Sequence, residues 1–193
     1  NKSDFIIGYR FSPEEIEQPG IRFDDTMFLL DKLATHGLDY FHFSMGSWLR
    51  NSIVTPEDQE PLIDKYRKLQ SESVAKVPVI GVGGIAQRKD AENALEQGYD
   101  MVSVGKGYLV EPTWANKALN DETCAEFADI AQQEELQIPT PLWEIMDYMI
   151  VDSAAEALKH QRIKELQNVP IKFNSGEYTA YGRGHNGDLP VTV

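Results

Sequence analysis

The chain has 193 residues, of which 41% are apolar, and this composition is typical of one or two globular domains. Acidic side chains outnumber basic ones by 31 to 18, and the net charge of −13 argues against binding to a nucleic-acid backbone. The single cysteine, Cys124, excludes a disulfide framework and a cysteine zinc site, and it favours a cytoplasmic location. The longest apolar runs are far too short to cross a membrane, so we expect no membrane partner.

The first 110 residues alternate between strand and helix patterns. Short apolar runs rich in β-branched and aromatic residues predict strands over 5–9, 39–44, 77–82 and 101–104. Apolar residues at helical spacing predict helices over 24–35, 56–73 and 86–97, the second with Leu62, Ile63, Tyr66 and Leu69 on one stripe. Alternation of this kind predicts an α/β fold in which parallel strands are joined by helical crossovers.

The rest of the chain divides into a helical zone and a glycine-rich zone. Pro112 occupies a helix N1 position ahead of a predicted helix over 114–119, and an acidic amphipathic stretch follows over 121–133. Further helices are predicted over 142–149 and 152–167. Residues 173–188 are rich in glycine, tyrosine and asparagine, which predicts a strand, a turn and a second strand.

Glycines follow two of the predicted strands. Val82-Gly83-Gly84-Ile85 comes after the third strand, and Val104-Gly105-Lys106-Gly107 comes after the fourth. Glycine lets backbone N–H groups approach a phosphate closely, and a (β/α)8 barrel binds phosphate in the loops after its seventh and eighth strands. The two motifs therefore predict a phosphate site; the alternative is a pair of tight turns.

Two polar residues lie at predicted strand ends. Arg10 ends the first strand, where its guanidinium could neutralise an anionic oxygen, unless it forms a surface ion pair with Glu14 or Glu15. Ser44 ends the second strand, where it either donates a hydrogen bond to a ligand or belongs to a simple turn.

Other candidate side chains favour a structural interpretation. His42 lies within a strand and is interpreted as a core histidine with satisfied hydrogen bonds. Cys124 falls in the predicted acidic helix without a basic neighbour, so we expect no reactive thiol. The four histidines show no ligand spacing, and no metal site is expected.

Four segments, taken in order and at their spacing, resemble the C-terminal half of an Old Yellow Enzyme-type NADH:flavin oxidoreductase. They are Gly8-Tyr-Arg-Phe-Ser-Pro13, Asp39-Tyr-Phe-His-Phe-Ser-Met-Gly46, Val77-Pro-Val-Ile-Gly-Val-Gly-Gly-Ile85 and Val104-Gly-Lys-Gly-Tyr-Leu-Val-Glu-Pro112. The resemblance implies βα units 5–8 of a TIM (β/α)8 barrel with extra C-terminal helices and a short β-like tail. It also implies bound FMN, NAD(P)H as hydride donor and a small-molecule acceptor such as an activated alkene.

The resemblance assigns roles to individual residues. Arg10 matches the arginine at the pyrimidine edge of the flavin, where a cation stabilises the reduced cofactor. Ser44 matches a polar residue lining the flavin site, and Gly83-Gly84 matches the first phosphate loop. Gly105 and Lys106 match the second loop, in which the family usually has arginine; lysine keeps the charge without the bidentate fork. The catalytic residues of the family come from the other half of the barrel, so none is assigned here.

The resemblance also sets the expected domain organisation. Residues 1–120 form the flavin-site half of the barrel, 121–168 a helical extension, and 169–193 a linker that leads into the start of a covalent-FMN-binding type of domain. We therefore expect a piece of a longer protein whose partner is the missing N-terminal half-barrel.

Two other functions remain open at this stage. A half-barrel leaves strand edges and apolar surface uncovered, which predicts a noncatalytic module that self-associates as a homo-oligomer. Another phosphate-binding TIM barrel, such as an isomerase of a phosphorylated sugar, would also explain the glycine loops but not Arg10 together with Ser44.

Overall fold

The computed structural model describes residues 4–144. The helix predicted over 152–167 and the strands predicted over 173–188 lie outside the described residues. Within them, the chain forms two compact units: residues 4–84 with 89–103, and residues 85–88 with 104–144.

The first unit contains one parallel four-stranded sheet. Its strands are β1 (Gly8–Phe11), β2 (Tyr40–Phe43), β3 (Val79–Val82) and β4 (Met101–Ser103). They lie side by side in chain order, and every neighbouring pair is parallel. Consecutive parallel strands in chain order are the arrangement of a (β/α)8 barrel, so the predicted α/β class is confirmed.

Helices connect the strands. They are α1 (Phe23–Leu33), α2 (Leu62–Leu69) and α3 (Arg88–Gln97), with short 3-10 turns at Ala34–His36 and Val74–Lys76. Acidic residues in the first turn favour the start of α1, where the Asp25 carboxylate accepts a hydrogen bond from the Arg22 N–H at 3.0 Å. Gly37 ends the segment in the left-handed conformation, which glycine adopts without steric cost.

Alternate residues of each strand face the core. Phe41, Phe43 and Val79 are fully buried and pack with Leu30, Leu62, Ile63 and Tyr66 of the helices. A Cβ at Gly81 would lie 2.7 Å from the Tyr99 ring, so glycine at this position of β3 makes room for that ring. Tyr99 in turn donates a hydrogen bond from its hydroxyl to the Trp48 carbonyl at 2.8 Å.

Arg67 connects α2 with the loop between α3 and β4. Its Nε donates to the Gly98 carbonyl at 2.7 Å, and its guanidinium also contacts the Asp100 carboxylate at 2.8 Å. The same Asp100 oxygen accepts the backbone N–H of Val79 at 2.8 Å. One charged group therefore holds three elements of the first unit together.

The predicted start of β1 is wrong. Residues 5–7 are exposed and precede the strand, which begins at Gly8. The N–H of Ile7 donates to the Asp39 side chain at 2.8 Å instead of to a backbone carbonyl, although the Ile7 carbonyl accepts the Asp39 N–H, and the regular strand begins one residue later.

The predicted start of the second helix is also wrong. The helix begins at Leu62 rather than at residue 56, because Pro61 has no N–H and its ring would clash with a preceding carbonyl inside a longer helix. Leu62, Ile63 and Tyr66 are buried as predicted, whereas Leu69, at the last position of α2, is 59% exposed. The apolar stripe is therefore one residue shorter than the sequence indicates.

The second unit contains the short helices α4 (Lys106–Val110) and α5 (Trp114–Leu119), and a further helix begins at residue 140. Val110, Ala128, Ile138 and Trp143 form its small core. The Trp114 indole N–H donates to the Ala86 carbonyl at 2.6 Å, which fixes α5 against the segment 85–88. Pro112 precedes the N-cap residue Thr113, so its predicted N1 position is wrong by two residues.

The predicted acidic helix over 121–133 is wrong. Asp121 has a φ of 62°, a left-handed conformation that a helix cannot continue, and the chain then runs without helix until the 3-10 turn Ile130–Gln132. Asp129 caps that turn by accepting the Ala131 N–H at 2.8 Å. The helix predicted from residue 142 begins at residue 140, and its part beyond 144 lies outside the described residues.

Candidate functional site

Arg10 lies on the face of the sheet that is turned away from the packed core. It is in register with His42 of β2, which is in register with Ile80 of β3. Side chains in register on parallel strands point to the same face, and the adjacent residue Phe11 points into the core. The exposed Arg10 guanidinium is therefore carried by a rigid strand rather than by a flexible loop.

His42 shares this face with Arg10, and its environment disfavours a positive charge. Burial lowers the pKa of the imidazole below its ordinary value, and the nearby charge of Arg10 lowers it further. Within residues 4–144, its buried Nε2 atom has no hydrogen-bond partner. The prediction of a histidine with satisfied hydrogen bonds is therefore wrong, because the side chains in register with His42, Arg10 and Ile80, offer its ring no hydrogen-bond acceptor.

Glu14 belongs to a different network from the one the sequence suggested. Its buried carboxylate accepts the Ile53 N–H at 2.6 Å and the Ser52 hydroxyl at 3.0 Å, and it lies 3.9 Å from the Arg50 guanidinium. These contacts fix the loop that follows β2. Glu14 thus holds a loop of the first unit, and the alternative that it pairs with Arg10 at the surface does not describe its contacts.

Ser44 directly follows β2 and is buried. Its N–H donates to the Phe11 carbonyl at 2.7 Å, which extends the β1–β2 ladder by one residue. Because parallel strands end at the same edge of a sheet, Ser44 lies at the same edge as Arg10 and as the glycines after β3.

Gly83 and Gly84 need the conformational freedom of glycine. Their φ angles are 95° and 69°, values that L side chains rarely adopt. A Cβ at Gly83 would lie 2.4 Å from the Gly46 carbonyl carbon, so two loops meet there backbone to backbone. At Gly84 the nearest atom to such a Cβ would be the Ser47 hydroxyl at 3.9 Å. The close approach of the loops therefore requires glycine at position 83, whereas a Cβ at Gly84 would have only an ordinary contact with Ser47 and room around it.

The two glycines of the second motif, Gly105 and Gly107, lie in the second unit and also differ in the space around them. A Cβ at Gly105 would meet no atom within 4 Å. A Cβ at Gly107 would lie 2.7 Å from a Val104 methyl group and 3.3 Å from the Trp114 ring. Gly105 therefore borders open space, and Gly107 is required for packing.

Lys106 is half-buried between these glycines. Its ammonium nitrogen lies 4.1 Å from the centroid of the Phe127 ring. Burial lowers the pKa of Lys106, and the Glu126 carboxylate opposes that effect. The lysine in this motif thus has a defined environment, which sequence patterns did not indicate, because Phe127 lies 21 residues further along the chain.

Cys124 lies in irregular chain rather than in the predicted helix. It is buried, and burial together with Glu111 raises the pKa of its thiol, while Lys117 opposes that effect. The expectation that it lacks a basic neighbour is therefore wrong. Because the raised pKa of Cys124 disfavours the thiolate, it nevertheless agrees with the expectation that this thiol is not reactive.

No helix within 4–144 is long and apolar enough to cross a membrane. Across the same residues, no three His, Cys, Asp or Glu side chains converge as metal ligands would.

The six predicted site residues divide between the two units. Arg10, Ser44, Gly83 and Gly84 lie at one edge of the sheet in the first unit. Gly105 and Lys106 lie in the second unit. Two further residues, His42 beside Arg10 and Phe127 beside Lys106, were not predicted as members of the site. The strand alternation that places Arg10 outward also places His42 there, so the first of them could have been found from sequence.

Comparison with known proteins identifies the family. The model of the NADH:flavin oxidoreductase / NADH oxidase family matches residues 2–123, and the chain belongs to this family. This match confirms the resemblance drawn from the four strand-end segments, and with the parallel sheet it identifies the fold as part of a TIM barrel.

Individual relatives are much longer than this chain. It is 46% identical over 189 residues to an NADH:fumarate oxidoreductase of Klebsiella pneumoniae (strain 342), covering 98% of this chain and 19% of that protein. It is 29% identical over 117 residues to an NADH oxidase of Thermoanaerobacter brockii, covering 60% of this chain and 18% of that protein. The chain thus spans about a fifth of the length of these curated relatives. Among solved structures, morphinone reductase is 21% identical with a TM-score of 0.43, covering 64% of this chain and 32% of that one.

Proposed function

We propose that this chain is the cofactor-binding half of the barrel of an FMN-dependent oxidoreductase. The observation that carries the proposal is the family match over residues 2–123. Bound FMN would supply the hydride chemistry, taking hydride from NAD(P)H and passing it to a small-molecule acceptor such as an activated alkene. The acceptor belongs to the whole protein, of which this chain spans a small part compared with its relatives.

Arg10 is the residue we assign to the flavin ring. Its place on a rigid strand, exposed on the face away from the core, supports a role in which the guanidinium donates to the anionic edge of the ring. Neutral His42 beside it adds no competing positive charge. Ser44, at the same edge of the sheet, is assigned to the lining of the flavin site.

The glycine motifs are assigned to the phosphate of FMN. The space that borders Gly84 and Gly105 supports this assignment, because a side chain at either position would occupy it. Lys106 supplies the positive charge in the second motif, as a point charge rather than as a bidentate fork. The donor and space-giving residues of each motif are therefore of the kinds that a flavin phosphate needs.

The partner of this chain is proposed to be the first half of the barrel, which would cover apolar surface at the start of β1. Phe5, Ile6 and Ile7 are 63%, 71% and 50% exposed, an unusual run for adjacent large apolar residues. For the chain alone the same surface favours self-association into a homo-oligomer. A cytoplasmic location is proposed from the single cysteine.

Flavin binding tests the proposal directly. The chain is expressed together with the first half of the barrel, purified, mixed with FMN and dialysed, and the flavin absorbance is recorded. We expect retained FMN in the native protein and weaker retention in an Arg10→Gln variant, with Lys76→Gln, a change at an exposed lysine, as the matched control. Absence of flavin absorbance in the native protein would overturn the proposal.

A further inference from the structure

The ammonium of Lys106 lies over the face of an aromatic ring. Its nitrogen is 4.1 Å from the centroid of the Phe127 ring, well inside the range of about 6 Å over which a cation is attracted to the ring quadrupole. Lys106 is half-buried, and burial acts against its positive charge. A ring that attracts the cation offsets part of this cost without neutralising the charge.

The side-chain amide of Gln87 helps to hold the segment that carries Phe127. The amide nitrogen of Gln87 donates to the Cys124 carbonyl at 2.8 Å, and its amide oxygen accepts the Cys124 N–H at 3.0 Å. The next residue but one, Glu126, also accepts from the Gln87 amide at 3.4 Å. Ala128, the residue that follows Phe127 in the chain, is buried in the small core with Val110.

The Phe127 ring is 43% exposed, so its position depends on the contacts that hold the chain around it. Burial alone would not fix its position, but the chain is fixed on both sides of it, at Cys124 and at Ala128. The Phe127 ring is thus held in place beside Lys106 by the backbone rather than by its own packing.

We propose that Phe127 is a positioning residue for Lys106, and that its ring holds the ammonium ready to bind a phosphate monoester. A lysine has a flexible four-carbon stem and loses much rotamer entropy when it binds an anion. Contact with a fixed ring restricts that freedom before the ligand arrives and leaves N–H donors on the other side of the nitrogen. The inference rests on the proposed function, since the phosphate is that of FMN.

The chain offers a matched control. In helix α1 the Lys32 ammonium lies 5.2 Å from the Phe28 centroid, and Phe28 is 67% exposed. This pair has the same chemistry as Lys106 and Phe127, but no glycine motif adjoins it. Phe28→Ala therefore removes a cation–π contact without touching the proposed site.

The first test compares binding of FMN and riboflavin, which differ by the phosphate. In the protein containing both halves of the barrel, we expect Phe127→Ala to weaken FMN affinity about three- to tenfold and to leave riboflavin affinity unchanged. Phe127→Trp should restore FMN affinity, and Phe28→Ala should change neither ligand. An equal loss for both flavins, or no loss for FMN, would overturn the inference.

The second test needs no flavin. Competitive acetylation of the 193-residue chain, read by mass spectrometry, measures the reactivity of Lys106 relative to the other lysines. We expect Phe127→Ala to change that reactivity at least twofold, whereas Phe28→Ala leaves Lys106 unaffected. Unchanged Lys106 reactivity in Phe127→Ala would overturn the positioning role. If the native protein bound neither flavin, the proposed function would fail, and acetylation would still decide whether Phe127 positions Lys106.

Discussion

Gly83 lies against the backbone of Gly46, so closely that a Cβ on Gly83 would stand 2.4 Å from the Gly46 carbonyl carbon. The N–H of Trp48 also donates to the Gly83 carbonyl at 3.1 Å. The loops after β2 and β3 are thereby joined through their main chains. Gly84, one residue later, shares the left-handed φ but not the close approach.

This difference predicts unequal effects of alanine at the two positions. Gly83→Ala combines an unfavourable φ with a backbone clash and should lower the free energy of unfolding by about 3 kcal/mol or more. Gly84→Ala introduces the unfavourable φ without a backbone clash and should lower the free energy of unfolding by about 1 kcal/mol. Urea unfolding of both variants measures the difference; equal losses would show that the loops do not pack as described.

Tyr66 and Tyr99 both pack against the Phe43 ring, and their hydroxyl groups provide a second comparison. Both rings meet Phe43 edge-on, with centroids 5.5 Å away for Tyr66 and 5.7 Å away for Tyr99. Burial raises the pKa of Tyr66 to about 12, and in the described part of the chain its hydroxyl has no hydrogen-bond partner. The Tyr99 hydroxyl, in contrast, donates to Trp48.

Removing each hydroxyl should therefore have a different result. Tyr99→Phe leaves the Trp48 carbonyl without its donor and should destabilise the fold by about 1 kcal/mol. Tyr66→Phe removes a buried hydroxyl that forms no hydrogen bond in the described part of the chain, so the free energy of unfolding should stay the same or rise. Thermal or urea unfolding distinguishes the two, and a clear loss in Tyr66→Phe would contradict the description of its surroundings.

The glycines of the second motif predict separate effects on stability and on ligand binding. Gly107→Ala places a methyl group against Val104 and Trp114 and should cost about 2 kcal/mol of stability. Gly105→Ala meets open space and should change stability by less than about 0.5 kcal/mol. If Gly105 borders the phosphate of FMN, the same variant should lose affinity for FMN but not for riboflavin. Strong destabilisation by Gly105→Ala would show that its surroundings are not open.

His42 makes stability depend on pH in a defined direction. Because its pKa is lowered in the folded protein, the unfolded chain takes up the proton first as the pH falls. Its contribution to stability is complete above the ordinary value of about 6.5 and is lost as the pH falls through the lower, folded-state pKa.

Replacement of the histidine tests this effect. The free energy of unfolding should fall less between about pH 7 and pH 5 in His42→Gln than in the native chain. Identical pH profiles for His42→Gln and the native chain would rule out a shifted His42.

Sequence patterns predicted the sheet well because its strands are short apolar runs bounded by glycine or by charged residues. The parallel pairing of β1 to β4 and the buried stripe of Leu62, Ile63 and Tyr66 follow from that pattern, whereas the order of a barrel came from the family resemblance. The patterns failed where a single backbone group decides the outcome. Examples are Pro61, which delays α2, and the left-handed Asp121, at which the predicted helix over 121–133 fails to form.

For the candidate site, sequence patterns indicated which residues to consider but not the contacts around them. Residue type and strand position indicated Arg10, Ser44 and the glycines. Which glycine packs and which borders open space depends on contacts between loops that lie about 37 residues apart, as for Gly46 and Gly83. The Phe127 ring beside Lys106 depends on a hydrogen bond between Gln87 and Cys124 that no periodicity encodes.

The contacts of Arg67 have a consequence for how the first unit opens. Its guanidinium binds the Gly98 carbonyl and the Asp100 carboxylate, and that carboxylate accepts the N–H of Val79. The Val79 amide proton can therefore exchange with solvent only when the carboxylate moves, and the carboxylate is tied to α2. We therefore expect the start of β3 and the end of α2 to exchange as one cooperative unit, and deuterium uptake at Val79 would measure how often that whole corner opens.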